Sequence, residues 1–424
     1  MDRALLWASM QRWHAVFVAD RVGLIPRRSV PAVPSRELAL AISGVRRCGK
    51  TTLAVQISAA FPDERVLYYN FEDPMFLGSS DPSGIEILLS LFEQQRGFVP
   101  ELLILDEVQN VAGWERWVRS AVDQRRLCII VTGSNAHLLS AELSTSLTGR
   151  SMEHTTWPLS VSEVGDFMSR VGNANRSTAG DVSFSRSYAL QTLLSWGGLP
   201  AVLLMENEID REKLLRQYLS DIVHRDIINR HAIRNKRALD LILTFYQTNL
   251  SSLHSYSSIK KAFGIPVDTI ADYTAALGEA FLIFEVERFH QNLKIQTRDP
   301  RKVYVVDSGL RRVGARSAEA DLGKLLENLV YLELRRRGKS AYYYQEKGEV
   351  DFVTTQGYEP ESAIQVCAYG MDKEPTRTRE VKALVDCLNA LELAEGSIVT
   401  MDRDEIIESG GKTIRSVSAP NWFS

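Results

Sequence analysis

The run Gly44-Val45-Arg46-Arg47-Cys48-Gly49-Lys50-Thr51-Thr52 sets two glycines, a lysine and a hydroxyl in the spacing G-x-x-x-x-G-K-T. That combination suits a polyanion. The backbone N–H groups of such a loop, and of a helix that starts at its end, point at bound phosphate. Gly44 and Gly49 let the backbone approach without a Cβ in the way. Lys50 is spaced to reach the β- and γ-phosphates, and the Thr51 hydroxyl to ligate Mg²⁺. Arg47, Cys48 and Thr52 complete the expected nucleotide-binding loop, with ATP and Mg²⁺ as the expected ligands.

A second set lies downstream. Glu101-Leu102-Leu103-Ile104-Leu105-Asp106-Glu107 is an apolar run that ends in two carboxylates. Asp106 would hold Mg²⁺ through water, and Glu107 would orient or deprotonate the attacking water. Leu127 to Ser134 is another apolar run, ending in small polar residues beside Asn135. In additional-strand P-loop ATPases this position carries the sensor of the γ-phosphate or the water. Ser134 and Asn135 are the candidates, and a helix N-cap is the alternative. Arg150 stands where an arginine finger could act on its own nucleotide or a neighbour's. The second case requires a homo-oligomer; the other reading is a surface ion pair.

These residues need a scaffold. Short apolar strands are expected at Glu37–Ser43, Arg65–Phe71, Glu101–Glu107, Leu127–Ser134 and Met152–Leu159. Helices are expected after the glycine loop, at Gly84–Gln95 and at Gly113–Val122. A short helix should precede Leu147. Trp114, Trp117 and Ala121 keep core spacing and read as packing. Residues 3–22 form an amphipathic helix with Leu5, Leu6, Met10, Trp13 and Phe17 on one face. Pro26, Pro31 and Pro34 make an extended connection.

Together with Tyr69-Asn70-Phe71-Glu72-Asp73-Pro74, Thr132-Gly133-Ser134 and Leu147-Thr148-Gly149-Arg150, these motifs resemble the prokaryotic AAA+-like ATPases of the archaeal type. Trp196-Gly197-Gly198-Leu199-Pro200 and Tyr218 to Ile227 extend the likeness over nearly the whole chain. The resemblance implies an α/β fold with a P-loop NTPase (AAA+-like) parallel sheet, ATP binding and hydrolysis. It also implies a C-terminal domain of unknown function that looks like a nuclease. It supplies no substrate.

Beyond Met152–Leu159, Gly172–Ser185 reads as a loop, and helices are expected at Ser187–Leu194 and Asp210–His231. Arg225 would sense phosphates or pair with Asp221 or Asp226. Residues 236–302 resemble a winged helix, with three helices and a hairpin of Phe281–Val286 and Lys302–Val306. Arg288, Lys294, Arg298, Arg301 and Lys302 would suit phosphate contacts with DNA. Asp268 and Asp272 on the third helix suit them poorly, which leaves packing or a protein partner as the alternative. The last section resembles the PD-(D/E)xK, restriction-endonuclease-like core, in which carboxylates hold Mg²⁺ and a lysine positions water. Glu327 and Asp351 match that pattern. Gln365 stands for the second carboxylate and Cys367 for the lysine, so a degenerate fold used for binding is expected; Lys382 could substitute. The expected divisions are 1–36, 37–172 (ATPase), 186–235 (helical), 236–306 (winged-helix-like) and 307–424 (nuclease-like).

Composition sets the outer bounds. The 424 residues are 45% hydrophobic and 24% charged, with a net charge of −3. That balance makes no global case for nucleic acid or an anionic membrane. Cys48, Cys128, Cys367 and Cys387 lie far apart with no C-x-x-C pair, which fits reduced thiols and a cytoplasmic setting. The N-terminus lacks the order of a signal peptide. The uncharged stretch Ser187–Met205 holds Gly197-Gly198 and Pro200, so it reads as a buried helix–turn–helix and no membrane partner is expected. Three functions remain: an ATPase acting on DNA, a nucleotide-gated switch for a protein partner, and an ATP-regulated metal-dependent nuclease.

Overall fold

The computed structural model describes residues 2–76, 81–135, 149–172, 182–298, 300–317 and 321–424. They fall into two compact units that divide between Trp157 and Pro158.

The first unit is built on five parallel strands: β1 (Ala39–Ser43), β2 (Val66–Asn70), β3 (Leu102–Asp106), β4 (Cys128–Gly133) and β5 (Ser151–Thr155). Their order is β2-β3-β4-β1-β5, so β4 separates the glycine-loop strand from the acidic strand. The strands read as unbroken apolar runs because both faces are covered. Ala39, Ala41, Leu103, Leu105, Ile129 and Val131 pack on one side with the helices Ser83–Arg96 and Trp114–Asp123. The alternate residues Leu40, Ile42, Leu102, Ile104 and Ile130 pack on the other with helix Lys50–Ser58.

Helix Arg3–Val22 starts at Asp2, whose carboxylate accepts from the N–H groups of Ala4 and Leu5. It lies against β2. Ser9 Oγ and Trp13 Nε1 donate to Asp73 at 2.6 and 2.8 Å. Leu6, Met10 and Phe17 are buried as their spacing requires, but Leu5 is 61% exposed. It sits one position off the stripe, so its expected place on the buried face is corrected. The expected short helix before Leu147, with Leu147 and Thr148 themselves, lies outside the described residues.

In the second unit the expected apolar stretch folds as helix Val182–Trp196, a turn at Gly197 and helix Pro200–Leu203. Most of the expected loop at 172–185 lies outside the described residues. Among the described residues no helix is long and apolar enough to cross a membrane. Helix Glu208–Asp221 runs into a wider π segment, Ile222–Ile228. Helices Lys236–Thr248, Tyr256–Phe263 and Val267–Glu279 follow. They accompany a small antiparallel sheet of β6 (Leu253–His254), β7 (Ile283–Val286) and β8 (Arg301–Val305), in the order β6-β8-β7.

Helix Leu322–Arg336 then leads into a separate sheet. Its strands are β9 (Ser340–Gln345), β10 (Glu349–Gln356), β11 (Glu359–Val366), β12 (Glu395–Thr400), β13 (Glu405–Ser409) and β14 (Lys412–Ser418). The order is β13-β14-β12-β11-β10-β9, with helix Glu374–Ala390 between β11 and β12.

Candidate nucleotide site

Register puts the chemistry at one edge. Ser43 pairs with Gly133, and Leu105 with Val131, so β1, β3 and β4 end together. Asp106 ends β3, and Gly44, Glu107 and Ser134 follow the three strand ends directly. The loop between β1 and helix Lys50–Ser58 is held in a tight shape. A Cβ on Gly44 would lie 2.1 Å from the Thr156 carbonyl oxygen, and Gly44 has φ +145°. Arg27, from the proline-containing connection, donates to the carbonyls of Cys48 (2.9 Å) and Trp157 (2.8 Å). Cys48 is buried and its Sγ lies 3.2 Å from the Thr156 oxygen. Arg47 on the loop and Thr52 in the first turn of the helix are exposed.

Lys50 is buried, and its Nζ donates to the carbonyls of Gly44 (3.2 Å) and Val45 (3.4 Å) while standing 3.7 Å from Glu107 Oε1. Thr51 Oγ1 donates to Asp106 Oδ2 at 2.9 Å. Tyr68 and Asn70 of β2 donate to the same oxygen at 2.8 and 3.2 Å, and Thr132 of β4 donates to Oδ1. Burial, with the adjacent Glu107 charge, pushes the Asp106 carboxyl up, against the bonds from Thr132, Tyr68 and Thr51. Burial also acts to raise Glu107. Lys50 and Arg46, with bonds from Gln109 and Ser134, outweigh it and hold that carboxyl below the ordinary range. Gln109 Nε2 lies 2.5 Å from Glu107 Oε2 and 3.5 Å from Ser134 Oγ. Arg46 pairs with Glu72 at 2.6 Å.

Lys50, Thr51, Asp106 and Glu107 therefore come together, with Ser134 at their edge. Asn135 is fully buried just beyond β4. Arg150 is not brought to its own loop. It precedes β5 at the opposite end of the sheet, where its carbonyl accepts from Ala39 N–H, and its side chain pairs with Asp123 at 2.5 Å. From Ala39 to Gly44 is five residue steps along the strand, about 16 Å at ~3.3 Å per residue, so a finger acting on its own nucleotide is corrected. Tyr68, Asn70, Thr132, Gln109 and Arg27 join the site beyond the residues expected from the sequence. Asn70 carried a signal, since it lies in Tyr69–Pro74, but only the strand order shows that β2 neighbours β3.

A second polar cluster lies in the other unit. Lys302 of β8 is 2% exposed, and its Nζ lies 2.8 Å from Glu349 Oε1, 2.9 Å from Asp351 Oδ1 and 3.0 Å from Glu327 Oε1. Tyr304 donates to the same Glu327 oxygen at 2.7 Å. Two expected DNA contacts are thereby corrected. Lys302 is buried among carboxylates, and Arg301 pairs with Glu285 at 2.9 Å and Glu287 at 3.5 Å. The lysine beside Asp351 is Lys302, while Lys382 is exposed on helix Glu374–Ala390.

Burial, then the Asp351 charge, push the Glu327 carboxyl up to about 8. An unfolded glutamate titrates near ~4.3. Between those values the native chain keeps a proton that the unfolded chain has lost, so stability falls as pH rises through the window. Urea unfolding between about pH 6 and about pH 9 should show this decline, and Glu327→Gln should flatten it. An unchanged slope in that variant would mean that Glu327 is ionised throughout.

A glycine–lysine loop ending one parallel strand, an acidic pair ending another, and an extra strand between them define an additional-strand P-loop domain. A family model described as an AAA domain matches residues 36–165, and one described as a domain of unknown function (DUF8612) matches residues 187–319. The chain is 32% identical over 365 residues to the "Uncharacterized protein MJ1544" of Methanocaldococcus jannaschii, across 83% of this chain and 79% of that protein. It belongs to the same family as that protein. An uncharacterized protein of Haemophilus influenzae is 30% identical over 330 residues, across 75% of this chain and 80% of its own length. Among solved structures, the Aeropyrum pernix ORC1 protein in complex with DNA aligns over 78% of this chain and 93% of that one. Its identity is 12% and its TM-score 0.35, too low to define a common fold over that length.

Proposed function

We propose that this chain is a Mg-dependent ATPase of the AAA+-like class whose nucleotide state governs what its second unit binds. One observation carries the reading: Lys50, Thr51, Asp106 and Glu107 share a single cluster at the end of the parallel sheet. The donor set suits Mg²⁺. The Thr51 hydroxyl and the Asp106 carboxylate, 2.9 Å apart, are the oxygen ligands that ion prefers. When bound with the phosphates, Mg²⁺ neutralises charge on their oxygens. The rest is the work of the chain. The loop N–H groups and Lys50 hold phosphate. Glu107, kept ionised by Lys50 and Arg46, accepts a proton from water. Gln109 fixes the direction of that carboxylate, and Ser134 and Asn135 serve as sensors.

In this reading residues 37–172 are the ATPase, 186–235 a helical section, 236–306 a winged-helix-like section and 307–424 a restriction-endonuclease-like domain used for binding. Three helices with the β7–β8 pair support the third assignment. A helix, three antiparallel strands, a helix and a strand support the fourth. The pairing of Arg301 and Lys302 with carboxylates favours a protein partner over DNA for the 236–306 section.

Lys50→Ala should weaken binding of a fluorescent ATP analogue about 10- to 100-fold, the worth of a charge-assisted hydrogen bond, with an unchanged circular dichroism spectrum. Undiminished binding and turnover in that variant would sink the proposal. Turnover by the native chain with and without DNA separates the two partner classes; stimulation would restore DNA, and indifference supports the protein-gated reading.

A further inference from the structure

The restriction-endonuclease-like order of the last domain implies a divalent cation held by Glu327 and Asp351. The residues present do not fit one. An ammonium has three N–H donors, and those of Lys302 have oxygens of three carboxyl groups within 3.0 Å. Two of these carboxyl groups take further donors. Asp351 Oδ2 accepts from Val366 N–H at 2.9 Å. Glu327 Oε1 takes the Tyr304 hydroxyl as well. Gln365 is turned to other work: its Oε1 accepts from Asp351 N–H at 3.2 Å and its Nε2 donates to Glu380 at 2.7 Å. Cys367 Sγ lies 3.2 Å from the Tyr369 carbonyl. Mg²⁺ needs near-octahedral oxygens at ~2.0–2.1 Å and keeps several waters, and the point where the carboxylates converge already holds a buried nitrogen.

The origin of the lysine adds a second fact. β8 pairs with β6 and β7, whereas Glu349 and Asp351 belong to β10 and Glu327 to helix Leu322–Arg336. The ion contacts thus cross from the small sheet to the terminal one. The backbone follows the same path, because Tyr343 N–H of β9 donates to the Glu287 carbonyl and Phe289 N–H to that of Tyr343.

We propose that Lys302 is the resident cation of the Glu327–Glu349–Asp351 cluster, standing permanently where a divalent ion would sit and fastening the small sheet to the terminal sheet. The domain keeps the carboxylates of a metal site and uses them as a joint. Removing the ammonium should expose the latent site.

The test uses the full chain without nucleotide, carrying Asp106→Asn to silence the first site, titrated with MnCl₂ and followed by electron paramagnetic resonance of free Mn²⁺. No stoichiometric Mn²⁺ binding is expected, and a tightly held ion lost on Asp351→Asn would overturn the proposal. Adding Lys302→Ala should create a stoichiometric Mn²⁺ site that Asp351→Asn abolishes. A folded Lys302→Ala chain that gains no site also overturns it. If Lys302→Ala is unfolded without metal, refolding on addition of Mn²⁺ supports it. If it folds under neither condition, the first titration decides.

Discussion

Replacing Glu107 with glutamine is expected to leave a chain that binds ATP and turns it over about 10²- to 10⁴-fold more slowly, the usual contribution of a positioned general base. The amide has the shape of the carboxylate but cannot take a proton from water. The backbone there should not move. Glu107 has φ +52°, and its N–H donates to Thr132 Oγ1 at 3.1 Å while its carbonyl accepts from Asn110 Nδ2 at 3.1 Å. Neither bond involves the side chain that changes. Phosphate contacts come from the loop and Lys50, so affinity is retained, in contrast to Lys50→Ala. Steady-state phosphate release beside equilibrium binding of the same analogue separates the two variants. Native turnover in Glu107→Gln would remove that residue from the chemistry.

Gly197→Ala should be strongly damaging to the second unit. Gly197 has φ +75°, and an added Cβ would lie 2.1 Å from Asp307 Oδ1 and 2.3 Å from Oδ2. That carboxylate is not free to retreat. It accepts from Gly198 N–H at 2.7 Å and Leu310 N–H at 3.0 Å, capping helix Ser308–Gly314. A left-handed alanine costs ~1–2 kcal/mol and overpacking a further ~1–3 kcal/mol, giving a loss of about 2–5 kcal/mol in urea unfolding. Gly165→Ala is the matched control. It lies within helix Val161–Gly172 with nothing near its would-be Cβ, and it should gain about 0.5–1 kcal/mol. Equal midpoints for the two variants would mean that the Gly197 turn relaxes without cost.

The glycine loop and the Asp106–Glu107 pair were legible because each is one contiguous run, with its residue types fixed by local chemistry. The five strands were legible for a related reason: a strand covered on both faces is an uninterrupted apolar word. What surrounds the site was not legible, because it is assembled across strands. Tyr68, Asn70 and Thr132 reach Asp106 only because β2 and β4 flank β3, and strand order is a property of the whole chain. Arg150 shows the converse. Its distance along the sequence suited a finger, but register places it at the far end of β1.

Lys302 was misread for a different reason. Charge density between Arg288 and Lys302 suggested a solvent-facing surface. The alternation in Arg301-Lys302-Val303-Tyr304-Val305 puts Lys302 and Tyr304 on the same face, and both reach Glu327. A period of two inside an apolar strand was the signal that outranked the charge count.

The position of Lys50 bears on what nucleotide affinity measures. Its buried ammonium already has the Gly44 and Val45 carbonyls and the Glu107 carboxylate as partners. Phosphate entry is then a ligand exchange at a nitrogen that is never bare. A dissociation constant measured at this loop therefore reports the difference between two sets of partners for Lys50, with the Gly44 and Val45 carbonyls on the outgoing side.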